Sequence, residues 1–379
     1  MALSKLGNYI QQSTLQNDAR TYEDNFVVGI STQKMMIPTK ANLDGVNLAS
    51  YKLVPPKHFA YVPDTSRRGD KMSLCYNDTE NIYLVSSISI VFYINNENLL
   101  NPKYLFIYFN RSEFDRYSRF NSWGSARETF TWEDMCDIDI DLPPLSIQQK
   151  YVDVYNAMLA NQQSYERGLD DLKLSFEAII NENKHKATKK VDSILKEIDC
   201  RNVDGSINNV QGINITKQFM PSIANMNNVN LTKYKVVRKG QFAFSGMQTG
   251  RDECIRIALY QDDTPIVISP AYTVLEIKNN TILAEYIMMW FSRREVDRLG
   301  WFMSDASIRT NLDMDRFSEI QIPIPEIKIQ KSIVDIYHAY NIRKSINEKL
   351  KTQLKNICPI LIKGSIEEAK RNENVHSAV

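Results

Sequence analysis

Histidine and cysteine are the side chains of this sequence best suited to bind metal or to act as nucleophiles. The four histidines are scattered, and none lies near an acidic cluster or a cysteine pair. The five cysteines also lie far apart without a Cys-x-x-Cys pair, which predicts reduced thiols and neither a disulfide framework nor a zinc site. This spacing indicates no metal site and no nucleophile beside a base. A pair of catalytic carboxylates stays open, although nothing in the sequence indicates one.

Loops that bind phosphate or support base methylation are missing from the sequence. It has no Gly-x-Gly-x-x-Gly motif and no P-loop. The Asn- or Asp-Pro-Pro-aromatic motif of amino methylation is approached only by DLPPL at Asp141, where Leu142 intervenes and Leu145 offers no aromatic ring. The sequence therefore predicts a binding protein without catalytic residues or a cofactor of its own.

Composition sets broad limits on the class of protein. The chain has 379 residues, of which 24% are charged and 43% hydrophobic, as expected for two soluble globular domains. No apolar run approaches the roughly 20 residues that cross a bilayer, and the polar start lacks a signal peptide. We therefore expect a cytoplasmic protein without a membrane partner. The formal charge of +1 does not by itself indicate a nucleic-acid binder.

A long internal repeat runs through most of the chain. GISTQKMMIPTKANLDGVNLASYKLV begins at Gly29, and GINITKQFMPSIANMNNVNLTKYKVV begins 183 positions later at Gly212. After one deletion the register continues at an offset of 182, where YLFIYFNRSEFDR from Tyr104 matches YIMMWFSRREVDR from Tyr286. A register kept over this length indicates a tandem duplication.

Each copy begins with a part that mixes strands and helices. NIYLVSSISIVFYI and TPIVISPAYTVLEI are rich in β-branched and aromatic residues, which predicts strands. The repeated segments at Tyr104 and Tyr286 have helical periodicity, and Arg111 and Asp115 are spaced for an intrahelical ion pair, as are Arg293 and Asp297. Two interpretations of these segments compete: a packed structural helix, which we favour, and an exposed surface that stacks nucleic-acid bases.

Each copy ends with a long helix that has a heptad pattern. Such stripes are typical of a helix packed along a partner helix. The polar seam residues Asn161 and Arg343 either fill solvated gaps or fix the register. In the first helix the predicted seam residues are Ile147, Val154, Asn161, Gly168, Ser175, Tyr151, Met158, Tyr165, Leu172 and Ile179. In the second they are Ile329, Ile336, Arg343, Leu350, Ile357, Ile333, Tyr340, Asn347, Leu354 and Leu361.

Several repeated motifs resemble one known family, the DNA-specificity subunits of type I restriction-modification systems. These motifs are ANLDGVNLASYKLVPPKHFAY with ANMNNVNLTKYKVVRKGQFAF, the loops GSAR and ASIR, and the helix leads LPPLSIQQK and IPIPEIKIQK. The resemblance covers nearly the whole chain. It implies an α+β fold with two tandem-repeated α/β target-recognition domains, separated by an antiparallel pair of long coiled-coil-like helices and related by a pseudo-twofold axis. The predicted bounds are 1–145 and 188–323 for the recognition domains, 146–187 and 324–366 for the helices, and 367–379 for a flexible tail.

The resemblance also implies a function and its partners. In that family each recognition domain reads one half of a bipartite site in double-stranded DNA, and the helix pair sets the spacer. The helices dock two methyltransferase subunits, on which S-adenosylmethionine is expected, and two motor-nuclease subunits join in the restricting form. The two copies here are alike, so we expect similar but different half-sites. The acidic residues on the helices predict weak and salt-sensitive DNA binding by the isolated chain.

Candidate DNA contacts lie in two loops of each copy. Arginine suits guanine and asparagine or glutamine suits adenine in the major groove, while cations also bind phosphate. Arg127 and Arg309 have an alternative role in locking their own loops. Differences such as Trp123 against Asp305 should carry differences in the sequence read. The candidates are Lys34, Arg67, Arg68, Lys71, Arg119, Asn121, Trp123, Ser125 and Arg127 in the first copy, and Lys217, Gln248, Thr249, Arg251, Trp301, Ser307 and Arg309 in the second.

Two other functions compete with this interpretation. The chain could be the specificity subunit of a methylation or restriction enzyme outside type I systems. It could also be a protein scaffold with duplicated binding modules. A DNA pull-down with a co-expressed methyltransferase distinguishes the scaffold from the two DNA-binding functions.

Overall fold

The structure is a computed structural model, which describes residues 3–65, 71–124, 127–183, 188–222, 229–247, 249–305 and 310–376. The chain divides into two units, each built around one copy of the repeat. The first unit holds Met1–Ser164 and Ile346–Val379, and the second holds Tyr165–Ser345. Each unit thus contains a recognition domain and a segment of both long helices. The division differs from the predicted bounds, which separated the helices from the domains.

The first unit builds its core on a four-stranded antiparallel sheet in the order β2-β9-β6-β7. Phe59 and Phe92 lie on its central strands and stack at 5.0 Å between ring centroids. The strands are Ser4–Lys5 (β1), Ile10–Gln12 (β2), Val28–Ile30 (β3), Met36–Pro38 (β4), Lys52–Val54 (β5), Phe59–Tyr61 (β6), Leu74–Tyr76 (β7), Tyr83–Val85 (β8), Ile90–Ile94 (β9) and Asp139–Ile140 (β10). The α-helices are Pro102–Phe109 (α1), Ser112–Phe120 (α2), Trp132–Cys136 (α3) and Leu145–Asn183 (α4), and the 3-10 helices are Leu6–Asn8, Asp24–Phe26 and Leu48–Ser50.

The second unit repeats this architecture, with a sheet in the order β12-β19-β16-β17. Its strands are Thr188–Lys190 (β11), Leu195–Ile198 (β12), Val210–Ile213 (β13), Phe219–Pro221 (β14), Lys235–Val237 (β15), Phe242–Ser245 (β16), Arg256–Leu259 (β17), Ile266–Ile268 (β18), Thr273–Ile277 (β19) and Gln321–Pro323 (β20). Its helices are Val191–Ile194 (α5), Thr249–Asp252 (α6), Ala284–Phe291 (α7), Arg294–Met303 (α8), Met314–Ser318 (α9) and Ile327–His376 (α10), with a 3-10 helix at Leu231–Lys233. The predicted fold class, two repeated domains of mixed helix and sheet with long helices, is confirmed.

A second sheet is more complete in the second unit than in the first. In the second unit it runs β14-β13-β18-β15, with β13 and β18 parallel. In the first unit β3-β4 and β5-β8 form separate pairs, joined by a single parallel bridge between Val27 and Leu84. Val27 and Leu84 match Val210 and Val267, which pair at the equivalent place. The two copies therefore share one topology.

The repeated segments at Tyr104 and Tyr286 each form two helices where the sequence predicted one. The break falls at Asn110 and Arg111: Asn110 caps α1 by donating to the carbonyl of Phe106, and Arg111 adopts an extended backbone before α2. In the first copy Tyr104, Phe109 and Phe114 are buried and the other aromatic residues of the segment are partly buried, which favours the structural interpretation.

The predicted ion pairs within this segment were wrong. The guanidinium of Arg111 lies over the ring of Tyr108, at 3.7 Å from its centroid, and Nε donates to the Tyr108 carbonyl. In the second copy Arg293 lies over the Trp290 ring and is 3.6 Å from Glu295. The break before α2 and α8 turns these arginines back toward the preceding helix, so Asp115 and its counterpart bind other residues.

A buried glutamine fixes the start of each long helix to its own domain. Gln148 accepts a hydrogen bond from the backbone N–H of Asn101 and donates to the carbonyls of Leu99 and Pro143. Gln330 makes the same three bonds, with Leu283, Thr281 and Pro325. The Ile-Gln match of the repeat is thus explained by a helix anchor that is fully satisfied in each unit.

The long helices pack antiparallel within each unit. In the first unit Tyr151 lies against Gly364, and Gln162 donates to Asn347 at 2.9 Å. Residue numbers therefore rise along α4 as they fall along α10.

In the second unit the same direction holds. The ring of Phe176 meets the ring of Tyr337 edge-on, and Arg343 lies over the Tyr165 ring and donates to its carbonyl at 3.2 Å. An added Cβ at Gly168 would lie 2.5 Å from the Arg343 guanidinium, so the arginine would have to move to accept a side chain there.

One of the two predicted seam stripes of α4 was wrong at three of its five positions. Val154, Asn161 and Ser175 are exposed, whereas Tyr155 and Gln162, which follow the first two, are buried. Ile147 and Gly168 of the same stripe do lie on the packed face. One residue is about 100° around a helix, so a strict seven-residue spacing placed the other three positions toward solvent. The stripe of Tyr151, Met158, Tyr165, Leu172 and Ile179 is partly buried, and none of the α10 seam residues is exposed.

The predicted flexible tail, residues 367–379, was also wrong over its described part. Helix α10 continues to His376, and Ala369 is buried. Glu368 accepts hydrogen bonds from Lys150 at 2.9 Å and from the Tyr151 hydroxyl at 3.1 Å. These contacts stabilise the last turns of α10 against the start of α4. Within the described ranges, no helix is long and apolar enough to cross a membrane.

Candidate nucleic-acid interface

A buried lysine-aspartate pair fixes helix α2 to the sheet region of the first unit. Lys34 sits in the β3–β4 turn with a φ of 61°, and its Nζ lies 2.5 Å from Oδ1 of Asp115. The same Asp115 oxygen accepts the backbone N–H of Met72 at 3.2 Å. The Lys34 side chain is only 4% exposed. Burial lowers its pKa, although the Asp115 carboxylate acts in the opposite direction.

The second unit contains the same pair. Lys217 has a φ of 61°, and its Nζ lies 2.5 Å from Oδ1 of Asp297, which also accepts the N–H of Ile255. Burial likewise lowers the Lys217 pKa against the effect of Asp297. Since Lys34 and Lys217 are buried against their own domains, the structure disfavours the predicted phosphate contacts of both residues. Their evident role is to position α2 and α8.

A hairpin follows helix α2 and holds several of the predicted contacts. Trp123 and Thr129 exchange backbone hydrogen bonds at 3.1 and 2.9 Å, which closes the hairpin. Gly124 has a φ of 142°, and an added Cβ would lie 2.1 Å from the Arg127 carbonyl oxygen. Only glycine fits there. The Trp123 side chain is 69% exposed, and Arg127 is exposed as well.

The first predicted loop reaches the same hairpin. The N–H of Thr65 donates to the carbonyl of Glu128, and Asp64 forms a bridge with Thr129. Lys71 is exposed at the other end of that loop. Arg67, Arg68 and Ser125 lie outside the described residues. The structure therefore places Thr65, the first residue of one predicted segment, beside the other segment.

Two predicted contacts of the first copy have partners in their own domain. Arg119 forms an ion pair with Glu128, which ties the end of α2 to the hairpin. The side-chain amide of Asn121 donates to the carbonyl of Tyr117 at 2.9 Å and caps α2. Both side chains keep some exposed surface, so their DNA contacts stay predictions.

The equivalent loop of the second unit is closed at the corresponding positions, but by one backbone hydrogen bond and one bond to a side chain. The N–H of Asp305 donates to the Asn311 carbonyl, and its carboxylate accepts the N–H of Asn311, both at 2.9 Å. Asp305 thus occupies the position of Trp123 without a large exposed ring. Ser307 and Arg309 lie outside the described residues.

Helix α6 packs beside α8 and carries the other predicted contacts of the second copy. Thr249 is fully buried, and its hydroxyl donates to the Gly246 carbonyl, so a DNA contact is disfavoured. Arg251 is exposed beside Asp252. Burial raises the pKa of Asp252, but hydrogen bonds from Arg256 and Arg251 outweigh it and hold that pKa below its usual value. Gln248 lies outside the described residues.

The most exposed aromatic side chains at these helix ends were missed from the sequence. Phe120 ends α2 and is 78% exposed, and Phe302 near the end of α8 is 87% exposed. They match each other at the offset of 182. Trp301, a predicted contact, is beside Phe302 and 49% exposed. The signal was present in the repeat, because an identical aromatic recurs just past the last buried position of each helix.

Comparisons with known proteins were made for the sequence and for the fold. Residues 188–356 match the family model of the type I restriction modification DNA specificity domain. The S subunit of a type I restriction-modification system from M. genitalium has the same fold, with 12% identity, a TM-score of 0.57, and coverage of 96% of this chain and 95% of that chain. No curated protein matches the chain in sequence.

Two further solved structures are more distant in shape. One, from work on complex assembly and conformational transition of the type I R-M system, has 13% identity and a TM-score of 0.47, and covers 96% of this chain and 97% of that chain. The HsdS subunit from Thermoanaerobacter tengcongensis has 14% identity and a TM-score of 0.37, and covers 96% of both chains.

The family match lies in the second copy, and the M. genitalium S subunit shares the fold of the chain. Residues 188–356 match the type I restriction modification DNA specificity domain, and the first copy repeats the sequence pattern and topology of the second. The resemblance to type I specificity subunits is thereby confirmed.

Proposed function

We propose that the chain is the specificity subunit of a type I restriction-modification complex and that each unit reads one half of a bipartite site in double-stranded DNA. One observation carries this proposal. Two copies of one scaffold present an exposed helix end and a closed loop at equivalent places, with different residues at the loop base. A duplicated scaffold with a divergent surface is suited to two different half-sites.

Phosphate and base contacts have different candidates within this surface. Lys71, Arg127 and Arg251 are exposed cations at its edge and suit phosphate oxygens or guanine edges. Trp123 presents an exposed ring and suits a base plane or a thymine methyl group. Asp305 at the same place has no ring, and its carboxylate closes its own loop. The two units would therefore read different bases at corresponding positions.

The partners we propose are two adenine methyltransferase subunits, docked on the long helices, and two motor-nuclease subunits in a restricting form. S-adenosylmethionine would bind to the methyltransferase, so this chain would supply recognition and no catalytic group. The complex would act in the cytoplasm, where the DNA is.

Co-expression with the host's adenine methyltransferase subunit, followed by mapping of methylated adenines, tests the function. We expect a two-part motif, and we expect Trp123→Ala to relax one half of it while the other half is unchanged. Val203→Ala, another exposed apolar residue, is the control and should leave both halves intact. A single undivided motif, or methylation that does not require the chain, would contradict the proposal.

The role of the helices as a spacer is tested separately. Seven residues inserted into each helix at the junction of the two units would add about 10 Å along the axis. We expect the unread spacer in the methylated motif to grow by about three base pairs, at about 3.4 Å each, with both half-sites unchanged. An unchanged spacer would show that the helices do not set it.

A further inference from the structure

The exposed faces of α2 and α8 keep an identical phenylalanine where their buried faces have diverged. The buried positions Phe114 and Val296 correspond in the repeat but differ in size. Phe120 and Phe302 also correspond, and they are identical although they are largely exposed. Core packing therefore does not account for the retained ring. Single exposed apolar residues are ordinary on protein surfaces, but this one recurs at the same position of both copies.

Each phenylalanine stands on a firmly held helix end. The Ser122 hydroxyl donates to the Ser118 carbonyl at 2.6 Å, just past Phe120. Ser304 makes the same bond to the Gly300 carbonyl at 2.8 Å, just past Phe302. The buried lysine-aspartate pairs fix the middle of both helices. The rings are thus presented by rigid backbone, which lowers the entropy lost when a ligand binds.

The surroundings of both rings suit DNA better than another protein. Arg116 and Arg298 lie four residues before the phenylalanines, one helical turn away, and both are exposed. Among the residues that the structure describes, Arg116 forms one long ion pair of 3.8 Å, with the exposed Glu113. An aromatic ring can stack on a base while a neighbouring cation binds the phosphate next to that base. The adjoining loops differ between the copies, as expected for unlike half-sites; two identical protein subunits would favour the same surface on both.

We propose that Phe120 and Phe302 are base-contacting residues, each stacking its ring on a base of its own half-site while Arg116 or Arg298 binds the adjacent phosphate. This inference rests on the proposed function and deepens it. The ring supplies affinity for an unstacked or kinked base step, and the diverged loop beside it supplies the sequence preference. The shared ring and the unlike loops therefore have different tasks on the DNA.

The test uses the complex of the chain with its methyltransferase subunits and two duplexes, one carrying the mapped motif and one with that motif scrambled. Fluorescence anisotropy measures the dissociation constant of each duplex. We expect Phe120→Ala and Phe302→Ala each to weaken binding of the motif duplex by about tenfold, a typical loss for one stacked base. Phe→Trp should retain binding, whereas Phe→Leu, which is apolar without a ring face, should behave like alanine.

The controls are Ile88→Ala in the first unit and Val203→Ala in the second, which remove exposed apolar side chains elsewhere. Unchanged binding by the alanine variants would overturn the inference, and so would full rescue by leucine. Loss of the methyltransferase subunit on purification of Phe120→Ala would identify a protein interface instead. If the wild-type complex does not distinguish the two duplexes, the proposed function itself fails.

Discussion

Helices α2 and α8 show which parts of the duplication were kept and which were free to change. Their buried anchors are the same: Lys34 on Asp115 in the first unit and Lys217 on Asp297 in the second, each pair at 2.5 Å. Their outer loops are closed at corresponding positions, by two backbone hydrogen bonds in the first unit and by one backbone bond plus the Asp305 carboxylate in the second, and they begin with a tryptophan and an aspartate respectively. The shared buried pairs therefore fix the position of each outer loop, whereas the residues of the loop itself are free to differ.

Removing one partner of the buried pair should have the largest effect on this shared scaffold. Lys34→Met leaves the Asp115 carboxylate without its cation, and such a loss costs about 3–5 kcal/mol in a buried pair. We expect the first unit to unfold at lower denaturant, measured by chemical denaturation. Lys217→Met should do the same to the second unit.

Lys57→Met is the matched control, since Lys57 also has a positive φ of 62° but forms an exposed pair with Glu97. Its effect should be small, because exposed ion pairs contribute little. The double variant Lys34→Met with Asp115→Leu should recover part of the loss. Equal effects of Lys34→Met and Lys57→Met would show that the duplicated pair does not anchor α2.

Exchanging a residue between the copies tests how far their cores have diverged. Ser118 and Gly300 correspond, but an added Cβ at Gly300 would lie 2.4 Å from Cγ1 of Ile255. We expect Gly300→Ser to destabilise the second unit by about 1–3 kcal/mol, as overpacking does.

The reverse change, Ser118→Gly, is the control for this exchange. It removes a buried hydroxyl that donates to the Asp115 carbonyl, and it should cost about 1 kcal/mol through helix propensity. Thermal melting of both variants measures the difference. A harmless Gly300→Ser would mean that Ile255 can move aside and that the two cores are still interchangeable.

The sequence predicted the repeat, its fold class and the seam of α10, because these depend on patterns extended over many residues. It did not predict the break at Asn110, where a single side chain caps the helix. The sequence also suggested that Lys34 is a surface cation. Its partner Asp115 lies 81 positions away in the chain, so the residues around Lys34 do not indicate that it is buried. Phe120 lies beyond the segment that was interpreted as a packed helix, and it was missed although its neighbours Arg119 and Asn121 were predicted contacts.

A smaller loss of stability is expected for substitutions along the seam of α4. Gln162 is buried and donates to Asn347, whereas its neighbour Asn161, the predicted seam residue, is exposed. Gln162→Ala should cost about 1–2 kcal/mol, because it removes a buried partner of Asn347. Asn161→Ala should be nearly neutral in the same denaturation experiment. The opposite order would restore the heptad phase taken from Ile147.

The smallest expected effects concern the exposed cations at the reading surface, and they separate phosphate contacts from base contacts. If Arg127 and Lys71 bind phosphate, each alanine variant should lower the slope of log K against log salt by about one, for motif and scrambled duplexes alike. If Arg127 reads guanine, the slope changes little for scrambled DNA and the preference at one position relaxes. Lys57→Ala, which removes an exposed cation from the same unit, controls for net charge. A slope that falls equally in all three variants would indicate only a general electrostatic effect, and the distinction between the loop cations and the rest of the surface would be lost.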